Sequence, residues 1–123
     1  MTVFLWIVQS LLAVLFQTVG TMKLLRTRAQ LAPIFAWVEG FSDNVVKGLG
    51  ILEILAGVGL VLPAAVNVAP VLVPLAALGG LALAAGGSVV HLRRKETPAA
   101  AINLIFITLL ALVAWGRFGP YHF

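Results

Sequence analysis

Apolar residues in this chain come in four long blocks, and polar residues are gathered in the segments between them. The blocks cover 3–22, 45–62, 71–90 and 99–115. Because a helix rises about 1.5 Å per residue, each block would be roughly 25–30 Å long, which matches the hydrocarbon core of a bilayer. The pattern predicts an all-α, polytopic membrane protein, a single domain over 1–123 built as a bundle of four transmembrane helices.

The connection 23–44 is the longest between blocks, and its centre is apolar and aromatic. Pro33 suits the first turn of a helix. The apolar residues that follow it are Ile34, Phe35, Trp37, Val38 and Phe41. We therefore expect a short interfacial helix between the first two transmembrane helices. Ser42, Asp43 or Asn44 would cap the second one, and Pro63 would end it, because a proline ring breaks a continuing helix.

Composition and charge placement support a membrane protein. The chain of 123 residues is 62% hydrophobic and 10% charged, more apolar than a small soluble fold could cover. Seven of its eight lysines and arginines lie in or beside 23–44 and 91–98, and Arg117 falls on the other side. The positive-inside rule places those two connections in the cytoplasm and both termini outside a cell membrane. The basic charge is therefore a topology signal, and no nucleic acid is expected as a partner.

The sequence gives little support for chemistry by the chain alone. It has no cysteine, which excludes disulfides, thiolate metal ligands and a dithiol redox couple. No metal is expected, because His91 and His122 would lie on opposite sides and no ligand spacing is present. Motifs of covalent or hydrolytic catalysis are also missing, so we do not expect catalysis by the isolated chain. A redox role would need a bound cofactor or a partner.

Glu53 is the candidate functional residue, because it lies inside the second apolar block. A carboxylate at that depth costs several kcal/mol unless it is protonated or partnered. Gln17 and Asn103 fall at a similar depth, and Lys23 and His91 stand at the cytoplasmic rim. We expect these five residues to form a ligand or proton site in the cytoplasmic half of the membrane.

The sequence leaves the partner of Glu53 and its role open. Lys23, Gln17 and Asn103 are all candidates, whereas Lys47 lies about 240° around the same helix and points elsewhere. A structural role is the alternative for each residue. Glu53 or Asn103 could hydrogen-bond neighbouring helices together, and Lys23 could serve topology alone.

Glycines recur on one face of two of the predicted helices. Gly50 and Gly57 flank Glu53 on the second helix, and Gly80 and Gly87 share a face with His91 on the third. Small residues at such spacing allow helix backbones to approach closely in lipid. We predict that these four glycines are helix-packing positions.

Four ordered segments resemble the DoxX-like family of membrane proteins. They are Gly20-Thr-Met-Lys23-Leu24, the segment from Gly50 through Glu53 and Gly57 to Leu62-Pro63, and His91-Leu-Arg93-Arg94-Lys95-Glu96 followed by Asn103-Leu104. Lys95 stands where the family commonly has glycine. The resemblance implies a four-helix membrane bundle with functional positions at Lys23, Glu53, His91 and Asn103. Similar proteins include a subunit of thiosulfate:quinone oxidoreductase, proteins of membrane thiol systems, and chaperone-like membrane proteins.

Three functions are compatible with these observations. The first is a redox-associated subunit with a polar intramembrane pocket for a quinone or a sulfur-type small molecule, where Glu53 handles a proton. The second is a non-catalytic assembly or chaperone subunit that binds a partner subunit or a second copy through its glycine faces. The third is a small proton-coupled transporter, although small multidrug transporters carry their glutamate on the first helix.

Overall fold

The computed structural model describes residues 2–35, 37 and 40–122, and it is helical without strands over that part of the chain. The elements are α1 (Thr2–Leu25), α2 (Arg28–Leu31), α3 (Asp43–Ala65), α4 (Leu72–Arg93) and α5 (Thr97–Phe118). The four long helices cover the four predicted spans, except that α4 begins one residue later than predicted, and they extend the spans by two or three residues at most other ends. The predicted all-α fold is confirmed.

Each of the long helices is long and apolar enough to cross a membrane, and no more than 33% of each apolar window is buried inside the bundle. The remaining apolar surface of α1, α3, α4 and α5 therefore needs an apolar solvent. Because lipid supplies that solvent, the chain is a multi-pass membrane protein.

The long helices form a closed ring of antiparallel neighbours. α1 packs extensively on α3, α4 packs extensively on α5, α3 joins the two pairs through α4, and a smaller contact joins α1 to α5. We call the end with the α1–α3 and α4–α5 connections the basic end, and the opposite end the Arg117 end. The two ends differ in how they are packed.

The apolar core fills only the half of the bundle near the Arg117 end. Its buried residues on α1 and α5 include Leu5, Leu12, Leu110 and Val113. The other members of this cluster are Val8, Ala13, Leu60, Val73, Ala77 and Ala114. A separate small cluster, centred on Leu31 and Val46, lies under the α1–α3 connection. Between the two clusters the basic half of the bundle is hollow.

The α1–α3 connection differs from its prediction. Its helix, α2, has four residues and ends before Pro33, which lies in a turn. Thr27 caps α2, because its side chain accepts a hydrogen bond from the Gln30 amide at 3.2 Å. The predicted short helix between the first two transmembrane helices is therefore present, but α2 lies before Pro33, and Val38 lies outside the described residues. Ser42 caps α3 as expected, accepting from the Val45 amide at 3.3 Å.

The prediction that α3 ends at Pro63 is wrong by two residues. Pro63 lies inside the helix, which continues to Ala65. A proline this close to a C-terminus removes only one backbone donor, and the following turn satisfies the exposed carbonyls. The Val66 amide donates to Leu62 at 3.0 Å, and the Val68 amide donates to the Pro63 carbonyl at 2.9 Å.

Two helices end in the same backbone motif. α4 ends with Lys95 at φ 59°, where the Lys95 amide donates to Leu92 and the Glu96 amide donates to His91. This is a Schellman motif, which places its terminal residue in the left-handed region. Asn67, at φ 54°, does the same after α3. Glycine is favoured there, so Lys95 carries a strain that a glycine would not.

Three of the predicted packing glycines lie at close helix contacts. A Cβ added at Gly50 would be 2.8 Å from the carbonyl oxygen of Gly20, so α1 and α3 touch backbone to backbone. At Gly57 it would be 3.0 Å from the Ala13 carbonyl oxygen. At Gly80 it would be 3.0 Å from the Phe16 ring. Gly20 forms the other side of the contact at Gly50.

Candidate functional site

The hollow basic half contains a pocket of about 560 Å³, walled by all four long helices and by the α1–α3 connection. We call it the basic-end pocket. Its wall includes Lys23, Glu53, His91 and Asn103, four of the five predicted site residues. Most of the other lining residues are apolar, including the rings of Phe16, Phe35, Trp37, Phe41 and Phe106. A mostly apolar cavity with a few converging polar groups is the usual form of a small-molecule site.

Glu53 and Lys23 form an ion pair on the wall of this pocket. The Lys23 Nζ atom donates to Glu53 Oε1, and both residues are buried. Lys23 therefore reaches inward from the end of α1 rather than outward to the membrane surface, and Lys47 instead donates to the Leu24 carbonyl. The sequence left the partner of Glu53 open, and the structure assigns it to Lys23. A buried pair keeps both charges inside the membrane, where either one alone would be costly.

Aromatic rings from the α1–α3 connection cover the Lys23 ammonium. Its Nζ atom lies 4.9 Å from the centroid of the Trp37 ring and 5.5 Å from that of Phe35. Trp37 also packs edge-on against Phe41, with centroids 5.6 Å apart. A cation over aromatic faces is stabilised by their quadrupoles, more so where water is excluded. The sequence suggested Trp37 as an interface anchor and did not place it at the site.

His91 lies where the pocket meets the α4–α5 turn. Its Nδ1 atom is 3.0 Å from Glu96 Oε1, and the same oxygen is 3.5 Å from Arg94 Nε. The side chain of Glu96 is 30% exposed, so this group connects the pocket wall with the surface. A chain of titratable side chains of this kind can exchange protons between a pocket and solvent.

Asn103 joins α5 to α4 at the pocket. Its Nδ2 atom donates to the Ala84 carbonyl at 3.3 Å. Gly87, the fourth predicted packing glycine, makes room for this amide, because an added Cβ would lie 3.0 Å from Nδ2. Gln17 is the exception among the predicted site residues. It packs against Gly57 in the contact between α1 and α3 and does not line the pocket.

The motifs of the sequence and the four-helix fold lead to one family. The model of the DoxX-like family matches residues 7–113, which is most of the chain. The chain belongs to the DoxX-like family. It matches no curated protein and no solved structure.

The DoxX-like chain has a second buried polar group, at the Arg117 end. Arg117 Nε donates to Gln9 Oε1 at 2.7 Å, and Gln9 Nε2 donates to the Leu60 carbonyl at 2.7 Å. Arg117 Nη1 also donates to the Tyr121 carbonyl at 2.9 Å, and the guanidinium lies 5.7 Å from the Trp6 ring. These bonds tie α1 to α3 and α5.

Sequence reasoning did not join Gln9 with Arg117, which it used only as the one basic residue on the other side of the membrane. The structure instead buries both side chains, at 0% and 3% exposure. A usable signal was present. Gln9 and Arg117 both lie among mostly apolar residues in the predicted outer half of the membrane, and polar groups in membrane helices tend to pair. Among the described residues, no three of the histidines and carboxylates come close enough to hold a metal ion.

Proposed function

We propose that this DoxX-like protein is a redox-associated membrane subunit whose basic-end pocket binds the head group of a quinone. The observation that carries the proposal is the composition of the pocket wall. Aromatic rings surround one buried ion pair and one amide, contributed by three different helices. A quinone head is a flat apolar ring with carbonyl oxygens on its edge, and this wall offers both kinds of contact.

Lys23 is the proposed donor to a quinone carbonyl. An ammonium group has three N–H donors, and Glu53 takes one of them. Trp37 and Phe35 lie over the same ammonium and would flank a ring placed against it. A ligand carbonyl would thus meet a charged donor in a site from which water is largely excluded, where electrostatic contacts are strong.

Glu53 is the proposed proton carrier for the bound head group. Carboxylates inside membrane segments commonly serve proton transfer. His91 and Glu96 supply the proposed exchange with the surface, because their side chains are in contact and Glu96 is partly exposed. The chain has no cysteine, so the proposal assigns electron transfer to a partner subunit and gives this chain binding and proton handling.

The proposal includes an orientation. Lys23, Arg26 and Lys47 lie at the basic end together with the arginines and lysine of the α4–α5 turn. By the positive-inside rule this end faces the cytoplasm of a cell membrane, and both termini face outward. The pocket then exchanges protons with the cytoplasm.

Equilibrium binding of a decyl-substituted benzoquinone to the purified protein in lipid nanodiscs tests the proposal. We expect saturable binding, which quenches Trp37 fluorescence in a variant whose Trp6 and Trp115 are replaced by phenylalanine. Glu53→Gln and Asn103→Leu should each weaken binding by roughly tenfold, the effect of one lost polar contact to a charged or amide group.

Thr108→Val is the matched control for Asn103→Leu. Its hydroxyl lies on the same helix, is exposed to lipid and bonds only its own helix at Leu104. This variant should bind like the parent. Absence of saturable binding, or an equal loss in Thr108→Val and Asn103→Leu, contradicts the proposal.

A further inference from the structure

The faces of α1 and α5 that meet at the Arg117 end are buried there and become partly exposed toward the basic end. One stripe of α1, made of Leu5, Gln9, Leu12, Phe16 and Val19, recurs at spacings of four and three residues, so it forms a single face. Leu5, Gln9 and Leu12 are at most 3% exposed, whereas Phe16 and Val19 are partly exposed and line the pocket. Along this one face of α1, the side chains therefore change from buried near the Arg117 end to partly exposed near the basic end.

The facing stripe of α5 changes in the same direction. Arg117, Val113 and Leu110 are buried at 3%, 0% and 0% exposure, whereas Phe106 and Asn103 are partly exposed and line the pocket. Two close contacts between the two helices lie at the Arg117 end. Gly116 is pressed against Leu5, where an added Cβ would be 2.7 Å from a Leu5 methyl, and Arg117 bonds Gln9. The facing stripes of the two helices are therefore in contact at the Arg117 end and line the pocket toward the basic end.

The pocket itself is polar at one end and apolar at the other. Gly50 lies opposite Gly20, and Gly57 lies opposite Ala13. Glu53 is therefore level with Gln17 on α1. Farther from the basic end, the part of the pocket wall that α1 contributes consists of Phe16, Leu15 and Leu12. The last of these lies in the middle of α1. Between the levels of Gln17 and Leu12 the wall extends about 7 Å deeper, by the helical rise. The apolar end therefore points toward the centre of the bilayer.

We infer that the space between α1 and α5, bordered by Val19 and Phe106, is a lateral opening through which the pocket takes a membrane-borne amphiphile with one long apolar tail. The polar head lies at Lys23 and Glu53, and the tail passes between Phe16 and Phe106 into the lipid. This inference rests on the proposed function and adds to it the class of ligand and its route. The Gln9–Arg117 clamp at the other end sets the separation of the two helices.

Two probes test the inference, the decyl-substituted benzoquinone and the same head group without the tail. Binding to the parent in nanodiscs should favour the decyl probe by at least about tenfold after correction for partition into empty nanodiscs, because buried methylenes add affinity. Val19→Trp, which fills the opening, should reduce that preference by at least about fivefold, because it weakens the decyl probe more than the tailless one.

Val14→Trp is the matched control. It adds the same bulk to the same helix at a position that is 65% exposed and lies outside the pocket wall. Gly79→Trp tests the competing route, since Gly79 has open space around it and lines a groove between α3 and α4. Both variants should keep the parental preference for the decyl probe. Retained binding of the tailless probe shows that Val19→Trp is folded, and Phe106→Trp replaces it if it is not.

The outcomes are distinct. If the parent binds both probes equally, or if filling the opening leaves the preference unchanged, the lateral route is wrong and the quinone site stands. If Gly79→Trp alone reduces the preference, the route lies between α3 and α4 and the inference is overturned. If the parent binds neither probe, the proposed function and the inference both fail.

Discussion

At the scale of single residues, the ion pair between Lys23 and Glu53 is the feature that most constrains the chain. Both side chains are buried, and each is the charged partner of the other. Removing one partner leaves an isolated charge inside the membrane, whereas removing both leaves none. The pair should therefore behave as one unit in stability.

A double-mutant cycle tests this coupling. Lys23→Met should lower the free energy of unfolding by about 3 kcal/mol, the cost typical of a broken buried pair. Lys23→Met with Glu53→Leu should recover at least about 1 kcal/mol of that loss, because the unpaired carboxylate is gone. Unfolding in mixed micelles at increasing sodium dodecyl sulfate measures both values. Additive losses would show that the two charges are not energetically coupled.

Lys95 gives a second prediction at this scale. Its φ of 59° lies in the left-handed region, which costs an L residue about 1–2 kcal/mol and glycine almost nothing. Lys95→Gly should therefore raise the free energy of unfolding by about 1 kcal/mol. The neighbouring Arg94→Gly is the control, because Arg94 has a φ of −90° and gains nothing from glycine. Equal effects of the two substitutions would contradict the assignment of strain to Lys95.

Single residues also show the limits of sequence reasoning. Glu53 could be singled out because polar residues are rare inside apolar blocks. Its partner could not, because Lys23 has a long flexible side chain that can point to the surface or inward. The positive φ of Lys95 was equally hidden, although the departure from the glycine of similar proteins marked the position.

At the scale of helices, the contact between α1 and α3 depends on paired glycines. Gly50→Ala should destabilise the protein by about 1–3 kcal/mol, because its methyl group would meet the Gly20 carbonyl and force the backbones apart. Gly48→Ala is the matched control on the same helix. A Cβ there meets nothing within 4 Å, so this variant should be neutral or stabilised by up to about 1 kcal/mol. Thermal unfolding in detergent compares them, and a similar loss in both would refute the close contact.

The helices themselves could be predicted from long apolar blocks, but their ends could not. α3 passes through Pro63 because a proline near the last turn costs a single backbone bond, which sequence position alone does not reveal. The short α2 begins before Pro33 because Thr27 and Gln30 bond each other's backbone amides there. Such local capping competes with the helix start that a proline suggests.

At the scale of the whole molecule, the bundle is divided into a packed half and a hollow half. The buried apolar cluster and the Gln9–Arg117 group lie near the Arg117 end, and the pocket lies near the basic end. This division is consistent with the proposal that the bundle is held together at the Arg117 end and binds a small molecule at the basic end. The sequence predicted that four of the pocket's polar residues share one half of the membrane. It could not predict the cavity, which depends on how far α1 and α5 separate.

The proposed orientation can be tested because the chain has no cysteine. Ala29→Cys at the basic end and Val68→Cys at the other end are both exposed. In intact cells, a membrane-impermeant maleimide should label Val68→Cys, and it should label Ala29→Cys only after the membrane is permeabilised. The reverse pattern would place the basic end outside the cell.

Covalent labelling by a photoreactive azidobenzoquinone with a decyl chain, mapped by mass spectrometry, tests the central account most directly. The account predicts that the label is found around Trp37 and on the α1 wall at Phe16 and Val19, and that excess decyl-benzoquinone or Glu53→Gln suppresses it. Label spread over lipid-facing positions such as Leu55, and insensitive to both, would contradict a quinone site in the basic half of the bundle.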